Sequence, residues 1–135
     1  MIQTEIYEEF DKWLDTLLEN NHMPENTRAF NFNLYDESDD AYDTAFGIQL
    51  IASDKFSEDD DDWACSEVWT SEEDVFYVDS SDETDKSRKN SQDCAKALIS
   101  SYLEDGKYAH ILRAAEAIGV GFVDGDIEIL YKNEN

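Results

Sequence analysis

Residues 120–132 read VGFVDGDIEILYK. Asp124-Gly125 is the signature of a two-residue type I′ turn, whose central positions both need a positive φ that Gly and Asp reach at low cost. A two-residue turn there sets Phe122 opposite Ile127 and Val120 opposite Ile129. These four apolar residues then share one face, so hydrophobic pattern and turn chemistry specify the same register. The chain is expected to close on an antiparallel hairpin, and the rest is read outward from it.

Upstream, KYAHILRAAEAIG (107–119) has Tyr108, Ile111, Leu112, Ala115 and Ile118 at helical spacing and predicts a helix ending at Gly119. DCAKALISSYLEDG (93–106) predicts another, with Ala95, Leu98, Ile99, Tyr102 and Leu103 on one stripe and Gly106 as its stop. The polar run 79–92 predicts a flexible connection. At the other end, Ile6, Phe10, Trp13, Leu14, Leu17 and Leu18 make the apolar stripe of an amphipathic helix that Pro24 terminates. RAFNFNLYDE (28–37) and TAFGIQLIAS (44–53) alternate with period two, and WACSEVWT (63–70) and DVFYVD (74–79) read as two more strands. The expectation is an α+β fold in one domain spanning 1–135. Its largely antiparallel sheet is a four-strand meander plus the C-terminal hairpin, with an N-terminal helix and two helices in the C-terminal half.

The chain has 135 residues, of which 41% are hydrophobic and 13% aromatic, enough for a packed core despite a net charge of −24. That charge costs stability through self-repulsion and opposes binding to nucleic acid or anionic membrane. It favours a cationic partner. The distribution is uneven: residues 36–85 hold 19 acids and one base, Lys55, a balance of −18. Aromatic rings interleave with these acids. Trp69, Phe76 and Tyr77 lie on predicted strands and read mainly as core, whereas Tyr42 and Trp63 border acidic loops and read as exposed. Aromatic anchors inside a charged rim are what a surface for a basic protein would use.

The remaining chemistry is sparse. DKFSEDDDDWAC (54–65) and DSSDETDKSRKN (79–90) lack the sixth-position Gly and closing Glu of an EF-hand. Cys65 and Cys94 stand in dissimilar contexts and read as reduced, buried thiols of a cytoplasmic protein, with no zinc-ligand spacing. The only histidines, His22 and His110, belong to no nucleophile or metal motif, and no phosphate-binding or nucleophile-elbow motif is present. No cofactor, metal or catalytic group is expected. The N-terminus lacks a basic and then apolar leader, and no run approaches about 18 apolar residues.

Three stretches, RAFNFNLYDES, DDDWACSEVWTSEEDVFYVDS and LEDGKYAHILRAAEAIGVGFVDGDIEILY, in a small acidic α+β chain, resemble the immunity proteins that bacteria encode beside polymorphic or contact-dependent toxins. The resemblance implies a non-catalytic inhibitor that binds a cognate toxin, and a basic nuclease would suit the charge. The expected contact residues are Glu58, Asp59, Asp60, Asp61, Asp62 and Trp63. Asp36, Glu37, Asp39, Asp40 and Tyr42 come second, then Glu72, Glu73 and Asp74. A meander would place 36–43 and 72–74 at one end of the sheet and 53–62 at the other. Two other readings compete: an acidic regulatory or structural module without a toxin partner, and a divalent-cation-binding protein.

Overall fold

A computed structural model describes residues 4–39, 44–57, 59, 61–71, 75–79, 88–122 and 127–132. In chain order they form α1 (Thr4–Asn20), β1 (Ala29–Asp39), β2 (Thr44–Ser53), a 3₁₀ turn (Asp61–Cys65), β3 (Glu67–Thr70), β4 (Phe76–Asp79), α2 (Arg88–Asp105), α3 (Ala109–Arg113), β5 (Ala117–Phe122) and β6 (Glu128–Lys132). The class is α+β, with a mixed, mostly antiparallel sheet of six strands ordered β3-β2-β1-β5-β6, and β4 also on β2.

The meander runs through β1, β2 and β3, but β4 does not continue it. β3 pairs with the end of β2, Ile51–Ser53, and β4 pairs with its beginning, Thr44–Ile48. Both are antiparallel to β2 on the side away from β1, so they follow one another along the same margin instead of pairing together. β5 lies beside β1 in parallel, Ala29 opposite Ala117 and Leu34 opposite Phe122. A parallel pair needs a crossover, and the long passage through β2, β3, β4 and α2 supplies it.

The third helix is correspondingly short. α3 stops at Arg113, and Ala117, Ile118 and Gly119 belong to β5. All six residues of β5 are buried, as expected of an interior strand covered on both faces. Ala115 and Ile118 fit a helical spacing, but the alternation Gly119-Val120-Gly121-Phe122 already has the period of a strand. α2 in turn begins at Arg88, taking in the last residues of the predicted connection.

The C-terminal hairpin forms with a register that changes along its length. Ala117↔Lys132 and Ile118↔Tyr131 match the predicted register, whereas Gly119↔Ile129 and Val120↔Glu128 are displaced by one residue. The irregularity falls between Ile118 and Gly119, so the predicted Val120–Ile129 pair is not made. Phe122–Ile127 is not among the pairs, and Asp124-Gly125 lies outside the described residues.

The main core lies between α1 and α2 and one face of the sheet. Phe10, fully buried, joins four rings: Trp13 at 5.6 Å, Phe32 at 6.3 Å, Phe76 edge-on at 5.4 Å and Tyr102 edge-on at 6.5 Å. One side chain of α1 thereby ties together β1, β4 and α2, with offset and edge-on ring geometry that adds to area burial. Tyr102 donates its hydroxyl to Asp15 Oδ1 (2.7 Å) and accepts the N–H of Tyr108 (3.2 Å). Gly106 closes α2 against this ring, and a Cβ there would come within 2.6 Å of it.

The joint between α1 and α2 concentrates negative charge. Burial first, then the carboxylates of Asp15, Asp105 and Glu8, hold the Asp11 carboxyl above the ordinary aspartate range. Ionisation of Asp11 therefore opposes folding. The penalty is complete above its raised folded value, declines as pH falls through that value, and vanishes below the unfolded value. Asp11→Asn is expected to stabilise the protein slightly at neutral pH, by less than about 0.5 kcal/mol because solvent screens the carboxyl, and to reduce the gain in stability on mild acidification. Urea denaturation at pH 7 and pH 5 measures both.

Candidate binding surface

Among the described residues, the acids of 36–85 lie at the end of β1, in the segment after β2, and on β3 and β4. Asp36 pairs with Phe46 and Asp39 with Thr44 across the β1–β2 hairpin. Asp40 and Tyr42 lie outside the described residues, as do Glu58, Asp60, Glu72, Glu73 and Asp74. Asp59 is exposed, its N–H donating to Ser57 Oγ (3.2 Å), and Asp61 and Asp62 open the 3₁₀ turn.

Two ends are thus defined. The 36–39 and 44 strand termini lie at one end of β2, and the 54–66 segment leaves from Ser53 at the other. On either side of 72–74, which lie outside the described residues, Ser71 N–H donates to Leu50 O (2.9 Å) and Phe76 pairs with Ile48. β3 and β4 divide β2 between them, and the expectation that 72–74 share an end with 36–43 falls on residues outside the described ones.

Trp63 is not an exposed anchor. Its side chain is buried, 3% exposed, on the sheet face opposite α1 and α2. A Cβ on Gly119 would lie 3.3 Å from Trp63 Cζ2, 2.8 Å from Asn31 Oδ1 and 2.7 Å from Ile127 Cγ2, so the missing side chain in β5 makes room for the indole. Phe56 meets it edge-on at 5.4 Å. Ser53, itself buried, donates its hydroxyl to Trp63 O (2.5 Å) and accepts Lys55 N–H (3.1 Å), which anchors the start and end of the acidic segment. Trp63 belongs to a small second core. The sequence signal was the glycine pair Gly119 and Gly121 in a strand.

Further along that face, Asn31 Nδ2 donates to Asn33 Oδ1 (2.5 Å), Asn33 Nδ2 to Gln49 Oε1 (3.3 Å) and the Tyr35 hydroxyl to Gln49 Oε1 (2.8 Å). Of the strand rings, Phe76 is buried, Trp69 is partly buried and Tyr77 is 53% exposed, so fewer are core than the pattern suggested. Cys94 is buried and Cys65 exposed, both free, which corrects the expectation that both are core thiols.

Beside β3 runs a cleft of about 570 Å³, bounded by Leu17 and Asn21 from the end of α1 and by Glu67–Ser71. Sequence reasoning did not find it, because it joins residues far apart in the chain. Among the described residues, no helix is long and apolar enough to cross a membrane. Compared with known proteins, the chain matches no family model, no curated protein and no solved structure.

Proposed function

We propose that this protein is a stoichiometric inhibitor that binds a basic protein through its acidic half, in the manner of a bacterial immunity protein that neutralises a toxin, with a nuclease as the toxin that suits the charge best. The observation that carries this reading is the segregation of charge: residues 36–85 hold −18 of the net −24, and within them β3 and β4 both pair with β2. A carboxylate-rich surface can occupy a cleft built for phosphates, or an exosite beside it, and its field accelerates encounter with a cationic partner. Of the two acidic ends, the 54–62 segment is the contact we favour, because buried Ser53 and Trp63 anchor its two ends.

Co-expression with the product of the adjacent gene tests the proposal. The expected result is co-purification at one-to-one stoichiometry and rescue of growth when that product alone is toxic. A toxic product that neither co-purifies nor is relieved would overturn it.

A further inference from the structure

We infer that a basic partner protein docks on the face of the sheet turned away from the helices, with Tyr77 as its anchor. This rests on the acidic-half reading and gives it a place. Alternate residues of β1, β2, β4 and β5, such as Phe32, Ile48, Phe76 and Val120, enter the main core, as do the buried side chains of α1, α2 and α3. The residues between them face the other way. Strand register sets these in two rows: Tyr77, Gly47 and Tyr35 in one, Gln49, Asn33 and Gly121 in the next. Trp63 covers the end of this face at Asn31 and Gly119.

The two rows carry no charge, in a chain of which 33% of residues are charged. The centre of a protein interface is depleted of charge and enriched in Tyr, with a polar rim around it. Tyr77 is 53% exposed, and its ring lies against Gly47, where a Cβ would come within 3.4 Å of Cε1. A phenol seated in this way offers contact area at little entropic cost. Tyr35, Asn33 and Gln49 are partly exposed, and the Tyr35 hydroxyl and Asn33 Nδ2 both donate to Gln49 Oε1, which holds the second row to the first. The acids select the occupant. Asp39 and Asp79 are register neighbours of Thr44 at one end of the rows, and the 54–62 segment leaves β2 at the other. A docked protein would meet negative charge at both ends of an uncharged centre, which matches a basic surface. The rows run across β4, β2, β1 and β5, about 14 Å at the usual strand spacing, a span for a protein surface rather than a single side chain. A second copy of this chain is disfavoured as the occupant, because two molecules of charge −24 repel one another.

The first measurement needs no partner. A neutral gadolinium chelate added to the ¹⁵N-labelled full chain should attenuate the side-chain amide signals of Asn33 and Gln49 and spare that of Asn31, which is 1% exposed. Equal sparing of all three would show the face to be covered and overturn the inference. The second measures binding of the adjacent gene's product by calorimetry at low and high salt. Tyr77→Ala should weaken it about tenfold. Gln49→Arg should weaken it about thirtyfold by setting a cation at the centre. Glu9→Gln, on the exposed side of α1, makes the same change in net charge and should cost less than about twofold. Circular dichroism checks that each variant folds, and Tyr77→Ala, which removes no part of the main core, decides the matter if Gln49→Arg does not. Salt-dependent binding that Tyr77→Ala alters by less than about twofold would overturn the docking face and leave the acidic-surface reading standing. Absence of binding by the unaltered chain would overturn that reading, and the docking face with it.

Discussion

Trp63→Ala is expected to destabilise the fold by about 3–5 kcal/mol, the range for removing a large buried aromatic side chain. The indole is 3% exposed and fills the space left by Gly119 between Asn31, Ile127 and Phe56. Since a domain of this size has roughly 5–15 kcal/mol in total, the loss would place the variant near its unfolding threshold. Urea denaturation followed by circular dichroism measures it. Trp63→Phe should recover more than half of the loss by keeping an aromatic ring in the hollow. A Trp63→Ala protein of undiminished stability that fails only in partner binding would return this ring to the contact surface and contradict its place in the second core.

Neutralising Asp59, Asp60, Asp61 and Asp62 together, as asparagines, should lower the association rate with a basic partner about tenfold at low salt and flatten its dependence on ionic strength. Removing like charges should leave stability unchanged or slightly raised. The equivalent change at Asp36, Glu37, Asp39 and Asp40 should alter the rate by less than about threefold, because those residues belong to the hairpin end of β2 and its connection. Stopped-flow mixing of each variant with the partner decides between the two ends. A larger effect from the hairpin set would move the contact there.

Local chemistry in the sequence carried the local structure. The stripe from Ile6 to Leu18 and the alternation in β1 and β2 gave α1 and the central hairpin, and of the predicted α1 stripe all but the partly buried Trp13 are buried. What failed was non-local. Nothing in EVWT or FYVD tells which segment each strand pairs with, and both pair with β2. Ala-rich residues 114–118 satisfied a helical spacing, but pairing with β1 makes Ala117 and Ile118 the start of a strand. Trp63, flanked by acids, read as exposed, while the glycine that buries it lies far along the chain in β5. The uneven charge was legible in full, and the fold adds that the 36–39 and 54–62 acids leave from opposite ends of β2.

The central claim is that the acidic half is the surface by which this protein captures and inhibits a basic partner. The most direct measurement is inhibition of the adjacent gene's product by the full chain, titrated to stoichiometry at about 50 mM and about 300 mM salt. The account predicts complete inhibition at one equivalent in low salt, with affinity falling at least tenfold in high salt. Inhibition with the same affinity at both salt concentrations, or a bound partner that retains full activity, would contradict it.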